Sequence, residues 1–250
     1  MRCIMENDVL VSVITPCYNS AGTIAKTIES VLKQTYRNIE YIIVDGASTD
    51  NTMKIVKRYE SEFEGRMKLI SEKDQGIYDA MNKGIRNAHG LLIGIISSND
   101  YYELDAIENI VQNISGEKYQ ILYGLLRTIK DEKEIMVYSK NHANLNNAMI
   151  THPTCFVSKQ IYSDFGMYSL KYKYSSDYEF MLRMIRNKNV RFKEIYVIIS
   201  NYSVDGVSSS VKGYRDTLRL KKEYGLISKG AYAIQMLKSG LSMVFRRGKM

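Results

Sequence analysis

Cysteine, proline and long apolar runs are all scarce in this chain, and each shortage excludes a class of protein. The three cysteines, Cys3, Cys17 and Cys155, are odd in number and far apart, so they can form neither a C-x-x-C metal knuckle nor a disulfide framework. A reducing compartment is therefore expected. Two prolines and 16 glycines in 250 residues exclude collagen-like and proline-rich low-complexity architectures. The longest apolar runs, such as Leu91–Ile96, fall well short of the roughly 20 residues that a membrane-spanning helix needs. Glu6 and Asp8 stand ahead of a short apolar run, which is not the pattern of a secretory signal peptide. The expected location is the cytoplasm, or a peripheral place on the inner face of the cytoplasmic membrane.

What is present is ordinary for a globular protein: 45% of residues are hydrophobic and 25% charged, which excludes wholesale disorder. The length suits one large domain or a little more. The formal net charge of +8 is unevenly spread. From Lys212 onward, ten Lys and Arg residues stand against Asp216 and Glu223, so this segment carries the whole excess and the preceding residues balance. A nucleic-acid-binding core is not expected.

The first hundred residues alternate between two periods. Val9–Ile14 is a near-continuous apolar run suited to a strand buried on both faces, and it ends at the polar turn Thr15–Ser20. Ile24, Ile28, Val31 and Leu32 then form a helical stripe. The unit repeats as strand Ile39–Val44, loop Asp45–Asp50 and helix Thr52–Tyr59, capped by Asp50 or Asn51. Strand Met67–Ser71, loop Glu72–Gly76 and helix Ile77–Ala88 follow, then strand Leu91–Ile96, ending at Ser97–Asp100. Such repeats imply a parallel, doubly wound sheet, in which the loops after the strand ends share one ligand-binding edge. Those loops are rich in Asp, Asn, Ser and Thr. They contain neither G-x-G-x-x-G nor G-x-x-x-x-G-K-[ST], which disfavours dinucleotide-dependent oxidoreductases and P-loop NTPases.

Beyond residue 105 the pattern loosens. A helix is expected over Asp105–Asn113, paired strands over Gln120–Arg127 and Ile129–Tyr138, and a short strand over His152–Val157. Helices over Lys159–Phe165 and Asp177–Asn187 and a strand over Val190–Ile199 complete the body. This predicts a mixed sheet continuing the same domain, with no linker rich in Pro, Gly or Ser and no internal repeat.

Six stretches in order carry a resemblance. They are Val11–Asn19, Val44–Thr52 (V-D-G-A-S-T-D-N-T), Asp74–Gly84 (D-Q-G-I-Y-D-A-M-N-K-G), Ser98-Asn99-Asp100, His152-Pro153-Thr154 and Ser176–Phe180. On these the chain resembles family 2 of the inverting, nucleotide-sugar-dependent glycosyltransferases with the GT-A fold. The resemblance implies an α/β architecture with a Rossmann-type, mostly parallel sheet continuing into a mixed sheet. Residues 1–211 would form the GT-A-like domain, with a nucleotide-binding half over about 9–100 and an acceptor half over about 101–211. Basic helices would follow as a tail over 212–250.

The resemblance also implies roles for residues. Asp45 would accept an N–H from a uracil edge, favouring a UDP-sugar donor; a solvated Asp in a helix-capping loop is the plain alternative. Thr15, Tyr18 and Asn19 would lie beneath the nucleotide, Tyr18 stacking on the base, although small polar residues also simply fill turns. Asp74, Asn82 and Lys83 would face nucleotide and sugar, but Lys83 stands at i+4 from Asp79 and so also suits a helix-surface ion pair. Ser98-Asn99-Asp100 occupies the D-x-D position, departing from it in that Ser98 and Asn99 stand in place of acids. Asp100 is then the metal-contacting carboxylate and Asn99 a neutral oxygen beside it, for Mg²⁺ or Mn²⁺ held largely by phosphates and water. Asp177 would be the general base of a single displacement. Glu179, two residues on, would not share its helix face. His152, ahead of Pro153, would approach the acceptor or the phosphates. Asp205–Ser210 matches the flexible segment that closes over the site in relatives.

In the tail, Ile234, Leu237, Leu241 and Val244 form a stripe, with Lys238, Arg246 and Arg247 off it or at its end. Such a helix suits an anionic membrane surface, the main domain or a second copy of the chain. The expected partners are thus a nucleotide-sugar donor and a glycan or lipid-linked acceptor, in bacterial surface-polysaccharide assembly, with no nucleic acid. The rival readings are a catalytically silent nucleotide- or sugar-binding protein with a degenerate metal site, a nucleotidyltransferase, and a protein that binds nucleic acid through its tail. A nucleotidyltransferase would need a Gly-rich basic phosphate loop, which Thr15–Gly22 lacks.

Overall fold

The structure is a computed structural model that describes residues 9–204 and 210–247, with side chains through Ser239. Cys3, most of the segment Asp205–Ser210, and the side chains of Leu241, Val244, Arg246 and Arg247 lie outside the described residues.

The β-branched run forms β1 (Val11–Cys17), buried along its whole length. It lies between β2 (Ile39–Asp45) and β4 (Leu92–Ile95), parallel to both, and β2 pairs in parallel with β3 (Met67–Ser71). The intervening helices are α1 (Ile24–Leu32), α2 (Thr52–Tyr59) and α3 (Ile77–Asn87). Alternate β1 residues serve opposite layers. Val11 and Val13 pack with Ile24, Ile28 and Val56 of α1 and α2, while Ile14 packs with Met81 and Ile85 of α3. The doubly wound first half is therefore as expected from the two periods.

The second half continues the same sheet. A two-residue strand, β5 (Tyr101–Tyr102), and α4 (Ala106–Gln112) precede β6 (Gln120–Lys130) and β7 (Lys133–Tyr138), an antiparallel hairpin. β8 (Phe156–Ser158) is antiparallel to β4 and β6, and β9 (Arg191–Ser203) is parallel to β6 and antiparallel to β5. The sheet order is β3-β2-β1-β4-β8-β6-β9-β5, with β7 beside β6. The overall picture is a mixed α/β, GT-A-like sheet with helices on both faces.

One local reading is corrected, and one that was left open is decided. His152–Thr154 is a 3-10 turn and not a strand, because Pro153 fixes its own φ and offers no N–H to a ladder. Asp50, and not Asn51, caps α2: its carboxylate accepts from the N–H of Thr52 at 2.9 Å, while Asn51 makes no such bond. After α5 (Lys159–Phe165), α6 (Ser176–Ile185) and β9 come α7 (Val211–Glu223), whose Leu220 is fully buried in the core, and α8 (Lys229–Arg247). No helix among the described residues is long and apolar enough to cross a membrane.

One polar cluster pins the N-terminal end of the sheet. Glu40 accepts hydrogen bonds from the Ser12 hydroxyl, from the main-chain N–H of His89 and from that of Gly90 (3.0 Å). Gly90 also donates to Ser12 Oγ at 2.8 Å, and a Cβ there would lie 2.5 Å from the main-chain nitrogen of Ser12. Gly90→Ala is therefore expected to cost about 1–3 kcal/mol, since backbone has to move. Partial burial pushes the Glu40 pKa up, but the Ser12, His89 and Gly90 donors outweigh it and hold it below the usual range. A depressed folded pKa stabilises above the unfolded value of about 4.3 and is lost as pH falls through the folded one. The stability gap between wild type and Glu40→Gln should thus be full near neutrality and close below about pH 4 in denaturant titrations.

Candidate active site

The loops after β1, β2 and β4 meet at the C-terminal edge of the sheet and hydrogen-bond to one another. Asn19, in a left-handed conformation at φ 48°, accepts from the N–H of Thr49 at 2.8 Å and donates its own N–H to Ser48 Oγ at 2.8 Å. The N–H of Ser20 donates to Thr52 Oγ1 at 2.7 Å, and that of Ala21 to Asp50 Oδ2 at 3.1 Å. The Ser20 and Ser98 hydroxyls lie 2.7 Å apart, joining the β4 loop to the β1 loop.

The loop after β3 joins the cluster through a missing side chain. A Cβ on Gly46 would stand 2.5 Å from Asp74 Oδ2 and 3.5 Å from the Tyr18 ring, so with any other residue here the Asp74 carboxylate would have to shift from its present place. Asp74 in turn accepts from the N–H of Gly76 at 2.9 Å, fixing the turn into α3. Tyr18 is 61% exposed, an apolar ring face left open to a flat ligand. Of the residues expected here, Tyr18, Asn19, Asp74, Asn99 and Asp100 gather at this edge.

Asp45 ends β2 as expected but is wholly buried. Both its oxygens are engaged: Ser48 donates its hydroxyl to Oδ1 at 2.5 Å and its N–H to Oδ2 at 3.1 Å, and Ser71 donates to Oδ2 at 2.7 Å. It thereby ties the β2 and β3 loops together.

Four other expected residues turn out to be struts. Thr15 is fully buried and its hydroxyl accepts from Tyr41 at 2.9 Å, which places it in the core. Asn82 faces the main chain of Tyr168, donating to its carbonyl at 2.8 Å and accepting from its N–H at 3.0 Å. Lys83 pairs with Glu72 at 3.0 Å and Asp79 at 3.6 Å and donates to the Lys73 carbonyl, bracing the loop before α3. Glu179 is buried between Arg183 (3.3 Å) and the Tyr224 hydroxyl (2.6 Å). A buried polar group has to find partners inside the protein, and Thr15, Asn82 and Glu179 each have one there.

Asp100 is 2% exposed and accepts one hydrogen bond, from the N–H of Ser203 at 3.1 Å. Burial pushes its pKa up to about 7. Its carbonyl takes the Thr27 hydroxyl at 2.7 Å, and Ser203 Oγ donates to the Asn99 carbonyl at 2.8 Å, so the loop is held from α1 and β9. Among the described residues no three His, Cys, Asp or Glu side chains come together as a metal site. The buried carboxylate, one of whose oxygens takes no hydrogen bond among the described residues, fits a divalent cation whose remaining ligands arrive with a diphosphate.

Asp177 lies near the start of α6, where the helix dipole favours an anion. Oδ1 accepts from the Tyr78 hydroxyl at 2.8 Å and from the N–H of Tyr178 at 2.9 Å. His152 lies close by, its Nε2 paired with the Tyr168 hydroxyl at 2.9 Å. Burial holds the imidazole below its usual range, against the pull of the Asp177 charge. Tyr78 is the residue that the sequence reading passed over. It sits beside the apolar stripe Ile77, Met81 and Ile85 and looks like core; only its hydroxyl gives it chemistry.

Removing the Asn82 amide leaves the Tyr168 N–H and carbonyl unpaired in the interior. Asn82→Ala should lower stability by about 2–4 kcal/mol in chemical denaturation, as two buried hydrogen bonds are lost.

A family model described as Glycosyl transferase family 2 matches residues 12–204. A PGL/p-HBAD biosynthesis glycosyltransferase of Mycobacterium bovis is 26% identical over 211 residues, covering 80% of this chain and 79% of its own. Staphylococcus aureus TarS 1-349, in complex with UDP-GlcNAc, superposes with a TM-score of 0.70 at 17% identity, over 89% of this chain and 69% of that one. In a longer TarS structure the chain spans 41% of the length. The mannosyltransferase PcManGT of Pyrobaculum calidifontis, in complex with GDP-Man and Mn²⁺, gives 0.66 at 16% identity, over 88% and 65%. That family model spans most of the sequence, the fold agrees with it, and the chain belongs to glycosyl transferase family 2.

Proposed function

We propose that this glycosyltransferase moves one sugar from a UDP-linked donor to a hydroxyl of a glycan or lipid-linked saccharide, with inversion, in the assembly of a surface polysaccharide. The observation that carries the reading is the placement of Asp177. Its carboxylate has one oxygen held by two donors, while Oδ2 takes no hydrogen bond among the described residues. Through Tyr78 it stands against the same sheet edge that Tyr18, Asp74 and Asp100 occupy.

In this mechanism Tyr18 stacks on the base, Asp74 and Asn19 frame its pocket, and Asp45 holds the β2 and β3 loops in place behind them. Asp100, with Asn99 beside it, would hold Mg²⁺ or Mn²⁺, which neutralises the charge that develops on the departing diphosphate. Asp177 Oδ2 takes the proton of the acceptor hydroxyl. The oxygen's electron pair forms the new bond to the anomeric carbon as the carbon–oxygen bond to phosphate breaks, leaving the nucleoside diphosphate with that pair. One displacement from the opposite face inverts the anomeric centre. The UDP-GlcNAc complex of TarS and the Mn²⁺ complex of PcManGT support the donor class and the cation. The stripe on α8, with Ile234 and Leu237 exposed, suits a peripheral place on the inner face of the cytoplasmic membrane or a homodimer contact.

The deciding experiment measures nucleoside diphosphate release from UDP-, GDP- and dTDP-sugars with Mn²⁺ or Mg²⁺. One UDP-sugar should be turned over, and Asp100→Ala should abolish the cation dependence together with most of the rate. Asp177→Asn should cut transfer by about 10²–10⁴-fold. The anomeric coupling in the product NMR spectrum should be opposite to the donor's. No release from any donor, with no nucleotide binding by calorimetry, would instead favour the silent binding protein.

A further inference from the structure

We infer that Tyr78 is the positioning residue of the general base, holding Asp177 from the donor side of the site. This rests on the reading of Asp177 as the base. Three observations carry it. The two residues are 99 apart in the chain, yet the Tyr78 hydroxyl lies 2.8 Å from Asp177 Oδ1. The same oxygen also accepts the Tyr178 N–H at 2.9 Å, so both donors fall on Oδ1 and Oδ2 is left to meet the acceptor. Tyr78 is itself immobilised: it is buried, and its ring packs on that of Tyr168 at 5.7 Å between centroids.

A carboxylate has two equivalent oxygens and turns about its Cβ–Cγ bond. Two donors on one oxygen set the plane of the group and dictate which oxygen takes the proton. Burial, followed by the neighbouring Asp177 charge, raises the Tyr78 pKa well above its usual value, so the phenol stays a donor throughout the working range. The placement also ties the base to the nucleotide side. Tyr78 is the second residue of α3, two positions beyond Gly76, which stands at φ 119° with its N–H on Asp74 Oδ1. Asp74 lies against Gly46 and Tyr18. The loop that frames the donor therefore also delivers the hydroxyl that aims the base.

The test compares wild type, Tyr78→Phe, Asp177→Asn and Tyr162→Phe, with the UDP-sugar found in the donor panel and p-nitrophenyl glycosides as acceptors. Tyr162→Phe removes a buried hydroxyl from the same aromatic cluster, where it meets Tyr168 at 3.3 Å, without touching Asp177. Tyr78→Phe should lower kcat by about 10- to 100-fold through misalignment of the base. The donor KM, and the affinity for UDP by calorimetry, should stay within about twofold. Tyr162→Phe should keep the wild-type kcat. A wild-type kcat in Tyr78→Phe, an equal fall in Tyr162→Phe, or a loss confined to donor affinity would overturn the assignment. Wild-type turnover in Asp177→Asn would overturn the base reading itself, separately from the effect of Tyr78.

Discussion

The site depends first on β1 lying between β2 and β4 with both neighbours parallel to it. Parallel neighbours require a crossover after each strand, so the chain leaves every strand at the same edge and returns by a helix on one face. The polar segments at residues 18–20, 46–50, 72–76 and 97–100 are brought together by this geometry, although they are separated by tens of residues. A one-residue slip in β1 would exchange its α1 and α3 faces and turn the loop that follows it. Burial on both faces forbids that slip, because each alternate residue meets a different layer of core.

With the loops delivered, hydrogen bonding decides their shape. Asn19, Ser20 and Ala21 each reach across to the β2 loop, and Asp45 collects donors from Ser48 and Ser71. The edge is consequently built of side chains whose polar atoms mostly serve one another. Among the described residues, the Tyr18 ring, the Gly46 notch against Asp74, and one carboxylate oxygen each of Asp100 and Asp177 are left without a hydrogen-bond partner and suit a ligand. Preorganisation of this kind lets binding proceed without ordering several loops at once.

The surroundings of Asp177 are assembled differently. Asp177, Tyr78, His152 and Tyr168 come from α6, α3, the turn before β8 and the segment after α5, and they meet over an aromatic cluster with Tyr162 and Phe180. Asn82 ties that cluster to α3 through the main chain of Tyr168. Low dielectric inside such a cluster strengthens each hydrogen bond and makes each unpaired group costly, so the arrangement resists rotation of the Asp177 carboxylate.

The sequence alone determined the strand and helix order of the first hundred residues, because period-two and period-3.6 patterns are written locally, whereas β5 and α7 left no such pattern. It also determined that an Asp-, Asn- and Ser-rich edge would form, and its motifs pointed to the family. Only the tertiary structure decided which polar residues face a ligand. Thr15, Asn82, Lys83 and Glu179 have the composition of site residues, but partners up to 86 positions away claim their hydrogen bonds. Tyr78 shows the converse: an aromatic beside a helical stripe reads as core until Asp177 is brought to its hydroxyl. The physical reason is the same in both cases. A polar atom's role is set by what lies within about 3 Å of it, and no spacing along the chain records a neighbour that distant crossovers bring into place.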